Sequence, residues 1–299
     1  MKRTILFVIL VLAVAYLAFL GRAGLHEPDE ARYAEVSREM MESGNLLIPT
    51  QNGIPHFQKP PVIYWATAAT MFLFGQNEIG ARMTPILSAL GVLLLTYWIG
   101  QRWFDRKTGR TAVWLLAGGL EFYILARGLC PDMLMTFWIM AAIAAFVWAR
   151  THASPHKLRF FPFFIFMGIA FSTKGPMGIL VPLFTAIGWQ WASRRSADKS
   201  ARIPWITGIA VTLLISVSWF MACSARHPEL LEYFVKYEFI DRFFSKTHGR
   251  SEPFWFFIPV IIFGWVPWTP LFPLAWSRQK AAQLTPPGAP PFPGPCLAG

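Results

Sequence analysis

The sequence predicts an all-α, polytopic membrane protein: a bundle of about eight transmembrane helices with one external loop that carries a juxtamembrane helix. Three observations predict it. Of the 299 residues, 55% are hydrophobic, 16% aromatic and only 14% charged, whereas soluble domains are about 25% charged. The apolar residues fall in runs of about 17–25, the length that crosses a bilayer as a helix. The charge balance is 27 Lys and Arg against 16 Asp and Glu; the basic excess sits in short loops between alternate runs, the positive-inside pattern, and calls for no nucleic-acid partner. Cys130, Cys223 and Cys296 show no paired spacing, so neither a disulfide framework nor a zinc knuckle is expected.

The first run, 4–20, follows Lys2 and Arg3 and has no small-residue cleavage site behind it, so it reads as a retained anchor. Further spans are expected at 84–103, 111–127, 133–149, 160–172, 175–191, 203–223 and 254–276; the stretch 160–172 is short and contains Pro162. Residues 61–75 (PVIYWATAATMFLFG) have the length of an interfacial segment. If they lie flat, the basic loops 101–110, 150–159 and 193–202 share one side with Lys2 and Arg3; if they span, all three loops move away from it. The positive-inside rule selects the first arrangement. The expectation is one transmembrane domain, 1–276, with both ends cytoplasmic, an external loop at 21–83 and a Pro/Gly-rich disordered tail at 277–299.

This topology puts thirteen of the sixteen carboxylates outside, leaving Asp105 and Asp198 inside and Glu121 within a span. Acids go where basic residues are not required, or the outer face carries chemistry; sorting alone does not choose. In the external loop, HEPDEARYAEVSREMMESG reads as a helix. Pro28 suits its start, Asp29 or Glu30 its positive N-terminal dipole and Gly44 its C′ position. Tyr33, Val36 and Met40 form an apolar stripe, with Arg32, Glu35, Glu39 and Glu42 polar, so the helix is expected to rest on the membrane surface. Asp29 is then either an N-terminal capping carboxylate or a reactive group at the bilayer boundary.

Asp132 lies in ARGLCPDMLMTFW, five residues after Arg127. A carboxylate among apolar spans is costly and is a functional candidate; the plain alternative is an ion pair with Arg127. Three external cations have apolar or aromatic surroundings: Lys59 in HFQKPP, Lys174 in FSTKGP and Arg242 in YEFIDRFF. Each either snorkels to the interface or meets an anion. Two carboxylates and several cations at the membrane edge suit transfer from a lipid-borne phosphate, because a carboxylate takes the acceptor's proton while cations stabilise the leaving phosphate.

EPDEARYAEVSREMMESGN, HFQKPPVIYW, PDMLMTFW, STKGP and YEFIDRFF, with PFWFFIPVIIFGWVPW after them, together resemble the GT-C glycosyltransferases. The resemblance is to the branch of lipid A aminoarabinose transferases and protein mannosyltransferase-like enzymes, and it extends in order from Lys2 to Trp276. It implies a glycosyltransferase of the bacterial inner membrane with its catalytic face periplasmic. The implied donor is a polyprenyl-phosphate-linked sugar, and the implied acceptor a lipid A, glycan or protein hydroxyl. By the same resemblance Asp29 is the base for the acceptor and Asp132 the second acid near the donor. Lys59 and Arg242 hold the lipid phosphate, Arg32 and Tyr33 belong to the first-loop motif, and Lys174 is a motif residue without an assigned role.

The chain departs from that branch at Gln58 and Phe239, which stand where the branch carries metal-binding Glu and His. Neither is a good zinc ligand, so no metal and no other cofactor is expected. The family continues into further spans, whereas SRQKAAQLTPPGAPPFPGPCLAG matches nothing in it, so a C-terminal truncation is expected. Two other readings stand beside the enzyme: a non-catalytic truncated remnant, and a transporter. The absence of an internal repeat and the placing of ionisable residues at the outer edge argue against the transporter.

Overall fold

The computed structural model describes residues 14–151, 156–192, 203–228, 230 and 253–273, and these are mostly helical. Residues 4–13 of the expected anchor, Arg242, Phe239 and the predicted tail at 277–299 lie outside the described residues. The chain divides into two compact units, one of residues 1–92 with 125–251, the other of 93–124 with 252–299.

In the first unit, α1 (Asp29–Ser43) forms where the sequence predicts it, ending on Gly44 in the left-handed conformation (φ 67°). Its expected stripe, Tyr33, Val36 and Met40, is buried. A two-residue hairpin follows, β1 (Thr50–Gln51) antiparallel to β2 (Ile54–Pro55). Next comes α2 (Val62–Phe74), which packs Ile63, Tyr64 and Met71 against Tyr33, Val36 and Met40. The 26-residue α3 (Glu78–Trp103) begins in this unit and runs into the second. Thr84 and Thr70 hydroxyls, 2.7 Å apart, tie it to α2.

α6 (Pro131–Thr151) and α7 (Phe161–Lys174) pack small against large: Ala142, Ala145 and Ala149 face Phe160, Phe163, Phe164 and Met167. Pro162 lies in the first turn of α7, after a 3₁₀ turn at Lys157–Phe160, where its missing N–H has no helical partner to lose. α8 (Met177–Ala192) packs back on this pair; a Cβ on Gly178 would overlap the backbone of Ala170 and Phe171. α9 (Trp205–Arg226) buries Gly208, Thr212, Ser216, Trp219 and Cys223 and exposes Ile206, Leu213, Leu214 and Met221. Apolar residues outside and small or polar ones inside is the arrangement of a lipid-facing helix, whose association depends on close packing rather than on apolar burial.

In the second unit, the continuous span expected at 111–127 is interrupted. α4 (Arg106–Ala117) starts on Asp105, which accepts from the Thr108 N–H at 2.6 Å, and stops at Gly118. α5 (Leu120–Arg127) begins after Gly119 and runs back into the first unit. α4 lies so close to α3 that a Cβ on Gly100 would stand 2.6 Å from the Cα of Gly109. The span expected at 254–276 is broken too, into a 3₁₀ turn, the short α10 (Phe257–Gly264) and a second 3₁₀ turn at Thr269–Leu271. Pro267, Pro270 and Pro273 each lack the N–H that would continue a helix.

Among the described residues, α3, α6 and α9 are long and apolar enough to cross a membrane, and α2 and α8 are shorter apolar helices.

Candidate active site

Two adjacent carboxylates open α1 and turn to different sides. Asp29 is at the first helical position rather than the cap. The cap is Pro28 and no side chain bonds there, so the capping reading of Asp29 does not hold. Its Oδ1 instead accepts from Arg32 Nη2 at 2.5 Å, one turn on, while the side chain stays 64% exposed. Arg32 also lies over the Tyr33 ring, 5.4 Å from its centroid, and the Tyr33 ring packs on Tyr64 of α2 at 6.1 Å. Burial raises the Tyr33 phenol above its ordinary value, against the opposing pull of Arg32.

Glu30 turns inward, at the centre of a buried network. It receives Arg82 Nη2 at 2.7 Å and Nε at 3.3 Å, the Leu129 N–H at 2.7 Å and the His26 N–H at 2.9 Å. Arg82, from the start of α3, also donates to the carbonyls of Leu20, Ala23 and Gly24 at 2.6, 2.7 and 2.8 Å. Burial pushes the Glu30 carboxyl up, but the hydrogen bonds from Arg82, His26 and Leu129 together outweigh it and hold it below the usual range. In the sequence Glu30 reads only as a partner for the helix dipole, and Arg82 carries no role. Helical spacing held the missing signal, since Glu30 is three, four and seven residues from the buried Tyr33, Ala34 and Ser37.

Leu129 leads directly to Cys130, Pro131 and Asp132, so the Glu30 bond fixes the entry to α6 from within α1. Asp132 is in the first turn of α6 and forms an ion pair with Lys174, the last residue of α7. Asp132 thus has an ion-pair partner, as the plain alternative held, but it is Lys174; Arg127 donates to the carbonyls of Ala15 and Ala18 at 2.6 and 2.8 Å. Cys130 stands just before α6. Burial, then the charge of Asp132, pushes its thiol up to about 11, and its titration is coupled to that of Tyr33.

Lys59 closes the set from the loop between β2 and α2, where Pro60 and Pro61 lead into the helix. Its positive charge and that of Arg32 act on the same side chain, His56. Asp29, Arg32 and Tyr33 thus meet at the start of α1, Asp132 and Lys174 meet where α6 begins and α7 ends, and electrostatic coupling through Cys130 and His56 relates these two groups to each other and to Lys59. The seventh sequence-predicted residue, Arg242, lies outside the described residues, and Gln58 is exposed beside Lys59.

Apolar outer faces, small-residue helix contacts and helices long and apolar enough to cross a bilayer mark a multi-pass membrane protein. Residues 1–234 match the family described as dolichyl-phosphate-mannose-protein mannosyltransferase, and the chain belongs to that family. It is 30% identical over 273 residues to the undecaprenyl phosphate-alpha-4-amino-4-deoxy-L-arabinose arabinosyl transferase of Shewanella sediminis, covering 91% of this chain and 50% of that protein. To the second such transferase of Sodalis glossinidius it is 31% identical over 283 residues, covering 93% and 51%. The fold is similar to crystal structures of ArnT from Cupriavidus metallidurans. The TM-score is 0.76 to the apo state, at 28% identity, and 0.81 to the state bound to undecaprenyl phosphate, at 29%; each covers 94% of this chain and 51% of the other. The chain spans about half the length of these relatives.

Proposed function

We propose that the chain is a glycosyltransferase that moves a sugar from a polyprenyl-phosphate donor to a hydroxyl of a lipid, glycan or protein acceptor. It works at the periplasmic face of a bacterial inner membrane, within a domain of about eight spans over 1–276. One observation supports the reading: Asp132 and Lys174, far apart in the sequence and both suited to this chemistry, pair with each other, as Asp29 does with Arg32. Membership of a family named for transfer from a polyprenyl-type phosphate supports it.

In the proposed step, Asp29 takes the acceptor hydroxyl's proton as that oxygen bonds to the anomeric carbon. The bond from that carbon to the phosphate oxygen breaks, and the lipid phosphate departs with the electron pair. Arg32 holds one Asp29 oxygen, and the exposure of the side chain leaves it open to an incoming hydroxyl. Lys59 and Arg242 stabilise the leaving phosphate; Arg can do so with two parallel hydrogen bonds, Lys as a point charge. Asp132, held by Lys174, faces the donor sugar. Arg32, lying over the Tyr33 ring, lines the site beside Asp29. No metal is required by this scheme.

The experiment is turnover of radiolabelled polyprenyl-phosphate sugar in proteoliposomes of the full chain, compared with Asp29→Asn. Labelled product from the wild type and its loss in the variant are expected. No transfer by a folded wild type to any of the three acceptor classes would leave the remnant reading in its place. Movement of intact label across the membrane without transfer would favour the transporter.

A further inference from the structure

The loop that carries Lys59 is held at several points. Glu39 of α1 accepts from Thr50 Oγ1 and the Asn52 N–H, both at 2.5 Å, and from the Gly53 N–H at 3.2 Å, which fixes the hairpin. The His56 N–H then donates to the Pro49 carbonyl at 2.8 Å, extending the pairing beyond β2. The next ring, Phe57, packs on Trp219 of α9 at 6.3 Å. His56 is therefore fixed in its backbone before any ligand arrives.

Its side chain is half-buried, and Nε2 is shielded from solvent with no hydrogen-bond partner among the described residues. Burial, then the charges of Arg32 and Lys59, hold the imidazole below its ordinary value, so it is neutral at pH 7. A second shielded polar atom without a partner among the described residues, the Tyr64 hydroxyl, is on the ring packed against Tyr33. A shielded polar atom with no partner is costly. Unmet hydrogen-bonding capacity next to two cations matches an anion with several acceptor oxygens.

We infer that His56 is a binding residue for the donor: in the tautomer with its proton on Nε2, it donates to a phosphate oxygen of the lipid-linked phosphate that Lys59 holds, beside the charge of Arg32. A neutral donor suits this place, because it adds direction to the site without adding a third positive charge to repel the other two. The inference rests on the reading in which Lys59 holds the donor's phosphate, and it adds a residue to that site.

The test measures binding of undecaprenyl phosphate to the full chain in detergent micelles by calorimetry. Undecaprenol and inorganic phosphate are the comparison probes, and thermal unfolding checks each variant. His56→Leu is expected to weaken undecaprenyl phosphate about 10–100-fold, the range for a hydrogen bond to a charged group. His56→Gln, which restores an N–H donor, is expected to recover part of this, and undecaprenol binding should not change. Lys59→Ala should also weaken the phosphate. If His56→Leu and His56→Gln bind undecaprenyl phosphate as the wild type does while Lys59→Ala does not, the His56 assignment is overturned and the phosphate site stands. If none of the three weakens binding, the phosphate reading itself falls. Equal losses for undecaprenol would make His56 a residue of the fold, and inorganic phosphate binding as tightly as the lipid would overturn the lipid source.

Discussion

Replacing Arg82 by Met keeps most of the stem's volume and removes its charge from beneath the site. Two groups of acceptors then lose a donor. The carbonyls of Ala23 and Gly24 belong to exposed residues and water can serve them, but the Leu20 carbonyl is buried. Glu30 loses both guanidinium bonds and keeps the N–H groups of Leu129 and His26. Stranding one member of a buried ion pair costs about 3–5 kcal/mol, and the two surviving bonds place this case near the lower end, at about 3 kcal/mol. The pH dependence has a definite sign. Because the folded Glu30 carboxyl lies below 4.5, its contribution is fully present above that value and is lost as pH falls through the folded pKa. Without Arg82 the largest influence opposing burial is gone, so the folded carboxyl rises toward its unfolded value, the acid limb carried by Glu30 flattens, and variant and wild type converge as pH falls. SDS-driven unfolding in mixed micelles, followed by tryptophan fluorescence from pH 3 to 8, reads both effects. A change under about 1 kcal/mol with an unchanged acid limb would refute the claim that this pair holds the site together.

Three further outcomes are expected. Asp29→Asn should lower turnover by about 10²–10⁴-fold with donor affinity unchanged, since the amide oxygen can still accept from Arg32; a silent variant moves the base, with Asp132 next to be tested. Gly178→Ala should destabilise by about 1–3 kcal/mol, because its methyl would meet backbone of Ala170 and Phe171 rather than a movable side chain; wild-type unfolding would contradict the close packing of α7 and α8. Ser43→Cys should react with an impermeant maleimide on intact spheroplasts and Arg106→Cys only after permeabilisation. Reaction of both from one side would reverse the proposed orientation.

The parts legible in the sequence are those whose signals are local. α1 is written between Pro28 and Gly44 by a proline start, an apolar stripe and a glycine stop, and its observed bounds, Asp29–Ser43, agree. The runs that became α3, α6 and α9 are visible as composition. Hydropathy could not see that α4 and α5 part at Gly118–Gly119, since two glycines scarcely change a window average while they end a helix. Partner choice was less legible still. Arg127 is five residues from Asp132, but Lys174, 42 residues away, is the cation that meets it. Proximity in sequence favoured the first, and the antiparallel packing of α6 and α7 decided for the second. The inward turn of Glu30 depends on Arg82, 52 residues on, and only helical phase hinted at it.

The order of synthesis gives the Arg82 network a meaning that its geometry alone does not. An arginine at the start of an apolar helix is a burden for a chain entering a bilayer. Here each of its acceptors, the carbonyls of Leu20, Ala23 and Gly24 and the carboxylate of Glu30, precedes it in the chain. When Arg82 emerges, its partners have already been made, and its charge need not await a later helix. Leu129, made last, finds the Glu30 carboxylate in place and joins it. Vectorial assembly thus completes the support of the first acid before the segment bearing the second arrives, and Asp132 is added to a frame that already stands.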